Sequence, residues 1–233
     1  MIQYQGLSTL EVLEGANNYN KWIASEMTAF LKFPALEIGS GIGNLSSHLL
    51  SKDKMILSDN DKGLVRHLKK KFVGQKNVNI INLDITRKPT QHKGIFASVI
   101  AVNVLEHIED DHQALLHINQ LLRKKGKLLM LVPAKQFAYT QLDKELGHFR
   151  RYEKEGLAKK LENSGFTINS IHYFNVVGLL SWMVRDKVER KSIALKTYQI
   201  KLFDFIVPFL RLVEKVFKPP IGISLVVIAT KHE

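Results

Sequence analysis

The residues best suited to chemistry fall in one run, Ala35-Leu36-Glu37-Ile38-Gly39-Ser40-Gly41-Ile42-Gly43-Asn44. An apolar strand runs into a glycine-rich turn and then a helix. Glycines let the chain bend tightly and let a ligand approach the backbone closely. Free N–H groups at the helix start can then serve a polar ligand. Glu37 is an acid inside an apolar strand, which is costly unless it is paired or hydrogen-bonded. Asp59 follows the next strand. There, in a doubly wound fold, an acid accepts hydrogen bonds from ribose hydroxyls. Asp84 follows the third strand, in Asn82-Leu83-Asp84-Ile85, where a carboxylate can accept from an adenine amino group. Taken singly, each acid reads as a solvated turn residue. At three successive strand ends they form a nucleoside site.

The elements that must position these groups follow from short apolar runs alternating with amphipathic stretches. The pattern predicts strands over 35–38, 55–58, 78–82, 97–102, 127–132, 167–174 and 224–230. Several lack clean alternation and read as buried on both faces. Helices are predicted over 18–31, 43–50, 61–71, 110–123 and 154–164. Lys124-Lys125-Gly126 ends the fourth with basic charge and a glycine, as helix C-termini prefer. The alternation implies an α/β fold: a doubly wound, Rossmann-like, seven-stranded and mostly parallel sheet with helices on both faces. Ligands in such sheets bind outside the carboxyl ends of the strands.

The connection before the last strand is roughly fifty residues long, too long to lack structure of its own. It predicts a helical insertion or lid over 176–221, within one domain spanning 1–233. From 198 to 217, Leu202, Phe205, Ile206, Phe209, Leu210, Val213, Val216 and Phe217 make a wide apolar stripe, with Lys201, Arg211, Lys215 and Lys218 nearby. The stripe packs on the core, covers the substrate or lies in a membrane interface. Pro208 is expected to kink or split the helix.

Composition narrows the partners. The chain has 233 residues, 45% hydrophobic and 24% charged, near the globular average, so disorder is excluded. No cysteine is present, which excludes disulfides, thiolate catalysis and Cys-ligated metal. With 34 Lys and Arg against 22 Asp and Glu the net charge is +12. That favours an anionic partner (nucleic acid, an acidic membrane surface or a phosphorylated substrate) or else simply solvated lysines. The polar first twenty residues do not read as a signal peptide. No run is long and apolar enough to span a bilayer. A cytoplasmic protein is expected, with peripheral membrane contact its one route to a bilayer.

With these motifs in order, the chain resembles the class I S-adenosylmethionine-dependent methyltransferases. The resemblance rests on Glu37-x-Gly39-x-Gly41-x-Gly43, Asp59, Asp84-Ile85, Val104-Leu105-Glu106-His107-Ile108 and Leu122-Arg123-Lys124-Lys125-Gly126-Lys127-Leu128. It covers about residues 17 to 133 and implies a seven-stranded sheet with a reversed last strand. The cofactor it implies is S-adenosyl-L-methionine. By that resemblance Glu37 belongs to the cofactor site, and Gly39, Ser40 and Gly41 line the methionine part. Asp59 holds the ribose, Asn60 lies beside the adenine, Asp84 reads its amino group and Ile85 walls it. Asn103 sits near the methionine amino group, and Tyr19 closes over the methionine end. A dinucleotide dehydrogenase fits less well, because its last glycine comes three residues after the second, whereas Gly41 and Gly43 are two apart.

A narrower segment, Gly147-His148-Phe149-Arg150-Arg151-Tyr152, resembles a bacterial methyltransferase subgroup often found beside, or fused to, glycosyltransferases of lipid-linked sugar pathways. That subgroup usually has Ser or Thr where Glu153 stands here. Methyl transfer mainly requires positioning of the acceptor and, for a hydroxyl, removal of its proton. Imidazole changes charge near neutral pH, so His148 is the candidate base, with His107 the second. Arg150 and Arg151 can hold a carboxylate or phosphate by paired hydrogen bonds. The catalytic set is therefore His148, Arg151 and Tyr152. The structural alternative pairs Arg150 or Arg151 with Asp143 or Glu145 and leaves Tyr152 in the core. His112 and His117 are five residues apart, do not share a helix face and are expected at the surface, and no metal is expected.

The leading expectation is methyl transfer to a small-molecule or lipid-linked acceptor at oxygen. RNA methylation is permitted by charge alone, but the Asn-Pro-Pro-Tyr-like tetrapeptide typical of base N-methylation is absent and a nucleic-acid partner is disfavoured. A catalytically inactive cofactor-binding partner subunit is the non-enzymatic alternative.

Overall fold

The computed structural model describes residues 6–188 and 197–232. Seven strands form one sheet: β1 (Ala35–Ile38), β2 (Met55–Asp59), β3 (Val78–Asn82), β4 (Phe96–Val102), β5 (Leu122–Pro133), β6 (Phe166–Phe174) and β7 (Ser224–Lys231). Their spatial order is β3-β2-β1-β4-β5-β7-β6, and β7 runs antiparallel to both its neighbours. The order reverses between β1 and β4, so their carboxyl ends open a crevice. This is the fold class expected from the sequence, reversed last strand included.

Side chains alternate across the strands into two cores. Leu36, Val99, Ala101, Leu128 and Met130 pack on one face, with α5 (Asp111–Leu121) and α7 (Lys154–Asn163). Ala35, Ile100, Leu129 and Leu131 pack on the other, under Trp22 and Met27 of α2 (Asn17–Thr28). Both faces are covered, which explains the near-continuous apolar runs.

Two local expectations need correction. The helix predicted over 43–50 shrinks to α3 (Ser46–Leu49), because Gly43 sits at φ 82° and the turn consumes the first residues. The helix predicted to run to 123 ends at Leu121, and Leu122, wholly buried and extended, already pairs with Phe96 in β5. The polar-looking N-terminus contains a helix, α1 (Leu7–Glu14), and α4 (Lys62–Lys71) begins as expected, its N-terminus capped by Asp61. A short α6 (Gln141–Glu145) lies in the loop after β5.

Between β6 and β7 come α8 (Val176–Val188) and α9 (Thr197–Val216). Pro208 stands inside α9 without splitting it. Proline cannot donate to the carbonyl four residues back. That carbonyl belongs to Asp204 and accepts instead from Asn18 Nδ2 at 3.1 Å. The Asp204 carboxylate also accepts the free N–H groups of Asn18 (3.2 Å) and Tyr19 (2.8 Å) at the start of α2. Glu214 does the same for Asn175 and Val176 at the start of α8, at 2.9 and 2.8 Å. These acids dock α9 by satisfying orphan helix donors. The apolar stripe consequently faces outward for much of its length: Leu202, Phe205, Phe209, Leu212 and Val216 are exposed, while Val207 is buried and Phe203 and Leu210 pack inward.

Candidate active site

The carboxyl end of β1 turns at Gly39, whose φ is 69°, a left-handed value that only glycine adopts cheaply. A Cβ there would meet Val104 Cγ2 at 2.5 Å, so the backbone lies against the end of β4 with no room for a side chain. Asp59, buried at the end of β2, receives Gly41 N at 3.0 Å on Oδ2 and Asp61 N at 2.9 Å on Oδ1. Each oxygen keeps a lone pair for a ligand. Burial pushes the Asp59 carboxyl above its ordinary value, against those backbone hydrogen bonds.

Glu37 is buried in the middle of the sheet. Its Oε2 takes the Ser46 hydroxyl at 2.6 Å. Burial raises its carboxyl to about 7, with the Ser46 and Ser40 hydroxyls opposing and Asp59 reinforcing the rise. Asp84 accepts Thr86 N and Oγ1 at 3.0 and 2.6 Å and pairs with Arg87 at 3.1 Å. Arg87 is largely exposed, so water screens that pair. The Ile85 carbonyl is bound by His117 Nδ1 at 2.8 Å. His117 is thus buried and structural, which corrects its expected surface position, while His112 is exposed. Asn103, directly after β4, has φ 52°, a strained value of the kind found at functional sites.

One cavity of about 660 Å³ takes in Tyr19, Glu37, Gly39, Ser40, Gly41, Asp59, Asn60, Asp84, Ile85 and Asn103. That volume lies within the range of cofactor sites. Its far wall includes His107, His148 and Arg151. Leu10 and Leu13 of α1, Pro133 at the end of β5 and Trp182 of α8 also line it, and none of these was picked out in the sequence. The residues fit a nucleoside carrying a charged amino-acid tail: a buried diol-binding carboxylate, a backbone surface that a Cβ would fill, and apolar walls.

The far wall is a side-chain network. His148 Nδ1 lies 2.8 Å from Asp143 Oδ1. Asp143 also receives Arg151 through Nε and Nη2, both at 3.0 Å, and Thr140 N at 2.8 Å. Burial works to raise the Asp143 carboxyl, but the His148 hydrogen bond and the Arg151 charge outweigh it and hold the group below its ordinary value. Arg151 also lies over the Trp182 ring at 4.8 Å. Arg151 thus combines a place on the wall with the pairing to Asp143 that was the structural alternative. Arg150 pairs with Asp111 at 2.9 Å and donates to the Glu109 carbonyl at 2.8 Å.

Tyr152 is buried away from the cavity, and its hydroxyl donates to Asp111 Oδ2 at 2.9 Å. The structure therefore brings His148 and Arg151 together and leaves Tyr152 outside. His107 stacks edge-on to His148, with ring centroids 4.6 Å apart, and burial lowers it to about 4. Asp143 was visible in sequence only as a pairing partner; its orienting contact to His148 needs the α6 turn that no spacing rule predicts.

The comparisons with known proteins agree with the fold. A family model described as a methyltransferase domain matches residues 17–171. None of the curated proteins matches the chain. Among solved structures, a chain of the Haloferax volcanii complex containing the Trm112 methyltransferase activator superposes with a TM-score of 0.68 at 11% identity, covering 100% of this chain and 99% of that one. A Thermotoga maritima SAM-dependent methyltransferase gives a TM-score of 0.65 at 14% identity, covering 96% and 94%. The CurJ carbon methyltransferase gives 0.58 at 17%, and this chain, 88% covered, spans only 51% of it. At these identities the structural likeness speaks to fold alone.

Proposed function

The chain belongs to the methyltransferase-domain family, and from that premise we propose that it transfers a methyl group from S-adenosylmethionine to an oxygen of a small-molecule or lipid-linked acceptor. When bound, this cofactor supplies a methyl on a sulfonium, already activated for in-line displacement. Asp59 would hold the ribose and Asp84 the adenine amino group, with Asn60 and Ile85 beside the ring. Gly39, Ser40, Gly41 and Asn103 would meet the methionine part, under Tyr19 and near Glu37. His148 would take the acceptor hydroxyl's proton on Nε2, the nitrogen that Asp143 leaves available. Asp143 fixes the ring's tautomer and orientation, and Arg151 keeps Asp143 ionised.

The observation that supports this reading best is that one cavity joins the Gly39–Asp59 cradle to the His148 wall. Calorimetry with S-adenosylmethionine tests it, on wild type and Asp59→Ala in parallel. We expect a binding free energy of about −7 to −9 kcal/mol, micromolar affinity, in the wild type. A loss of roughly 100-fold is expected in the variant, since hydrogen bonds to a charged group contribute about 1.5 to 3 kcal/mol each. No binding by folded wild type would overturn the reading.

The lipid-linked branch has its own support. Phe205, Phe209 and Leu202 on α9 are 80%, 68% and 66% exposed, flanked by exposed Lys201 and Lys215. Apolar patches of this kind mark interaction surfaces, and cationic flanks suit anionic lipid. Among the described residues no helix is long and apolar enough to cross a membrane. Peripheral contact predicts co-sedimentation with anionic but not zwitterionic vesicles, lost in Phe205→Glu/Phe209→Glu.

A further inference from the structure

Glu106 is wholly buried, and neither of its carboxylate oxygens has a hydrogen-bond partner. An unsatisfied buried acid costs about 1 to 3 kcal/mol or more, so something should occupy it. Among the described residues no lysine or arginine forms an ion pair with it: Arg151, whose charge reaches it from a distance, pairs with Asp143, and what lies beside Glu106 are two imidazoles, His107 and His148. One donor atom from each of the three residues lies within 4.8 Å of the others. Both histidines lie on the wall of the cavity described above.

Each ring is also held from behind. Asp143 Oδ1 sits 2.8 Å from His148 Nδ1, leaving Nε2 as the available donor. His107 is hydrogen-bonded to the backbone of Gly147 and Leu146. Metal-ligating histidines are anchored in this manner, the second nitrogen donating to a carboxylate or a backbone carbonyl. A buried carboxylate without partners, two anchored imidazoles and an open cavity side make a three-ligand site with positions left for substrate or water.

We propose that Glu106, His107 and His148 bind one divalent first-row transition cation, of the zinc, cobalt or manganese kind. Metal–ligand bonds of about 2.0 to 2.2 Å require the donors to close by roughly 1 Å, within reach of side-chain rotation. The open positions face the cleft, where a hydroxyl or phosphate of the acceptor can supply oxygen. In that role, which rests on the methyltransferase reading, the cation polarises the acceptor oxygen and His148 serves as ligand instead of base. The site itself does not depend on that reading.

The test uses the full chain, stripped with a chelator, and the metals alone. Zn²⁺ is titrated by calorimetry and Co²⁺ by its visible absorption. We expect one equivalent per chain, at least 30-fold weaker in Glu106→Gln and in His148→Asn, with the melting temperature of the wild type raised by Zn²⁺. Two variants guard against one failing to fold, and circular dichroism checks each. The absence of a saturable equivalent overturns the proposal. So does an equivalent whose affinity stays within twofold in a folded variant, since the metal would then sit on exposed histidines. S-adenosylmethionine binding is measured on the same metal-free samples. Cofactor binding without metal binding overturns only this inference, and metal binding without cofactor binding overturns only the methyltransferase reading.

Discussion

The two walls of the cavity are built on different principles. The cofactor wall is mostly backbone: a turn that tolerates no Cβ at Gly39, and amide groups of Gly41 and Asp61 gathered on Asp59. The opposite wall is a side-chain network in which Asp143, Arg151 and His148 hold one another. A backbone cradle can bind but has few protons to move, whereas the network carries a base oriented by a buried carboxylate. Binding and turnover should therefore separate by wall.

The largest separation is expected at His148. His148→Gln should lower kcat by roughly 10² to 10⁴, the usual worth of a positioned base, with cofactor affinity unchanged within about threefold by calorimetry. A variant that turns over within threefold of wild type would break the comparison. Smaller, and of the opposite kind, is Gly39→Ala. Its Cβ would press on Val104 at a left-handed φ, so cofactor affinity should fall about 10- to 100-fold, equivalent to some 1.4 to 2.7 kcal/mol. With cofactor saturating, kcat should stay within a few-fold of wild type.

The same difference explains what the sequence revealed. Gly39, Asp59 and Asp84 sit at strand ends, and strand ends follow from apolar runs, so the cofactor wall was legible residue by residue. The network was not. Asp143 reaches His148 because an α6 turn intervenes, and Glu106 differs from a solvated acid only through its complete burial in the fold. Tyr152 has the same sequence neighbourhood as His148, yet its backbone pairs with Ala134 and carries its ring into the core. Helix α9 was legible in part. Its apolar stripe left core packing, a lid and a membrane interface all open, and its acids, bound to the unsatisfied N–H groups of α2 and α8, set the docking face.

Asp204 sharpens the comparison further, because it shows that the cofactor wall is not wholly local. Tyr19 lines the cavity, and its N–H is held by a residue 185 positions away. Asp204→Ala removes the acceptor for two helix-start donors and should destabilise the fold by about 1 to 2 kcal/mol, as loss of a helix N-cap does. Urea unfolding reads this directly. A cofactor-affinity loss of only a few-fold should accompany it, since Tyr19 is displaced but the Asp59 cradle is intact.

The smallest effect concerns Glu37, which shares the backbone-built wall with the other buried acid, Asp59. Burial raises its carboxyl from 4.5 to about 7. Between those values the folded chain holds a proton that the unfolded chain has released. Stability rises with pH only where the unfolded state binds more protons. Glu37 therefore contributes stability fully below about 4.5, and that contribution is lost as pH climbs through about 7. Glu37→Gln stays neutral throughout and keeps a hydrogen bond from Ser46 available. The stability of wild type relative to the variant should thus decline from pH 4.5 to 7 and level off above. Glu106, raised to about 8 by its own burial, adds a similar slope to both proteins and cancels in the difference. Denaturant midpoints at half-unit steps of pH would show the decline. A flat difference would mean that Glu37 is ionised inside the sheet, beside the Asp59 carboxylate.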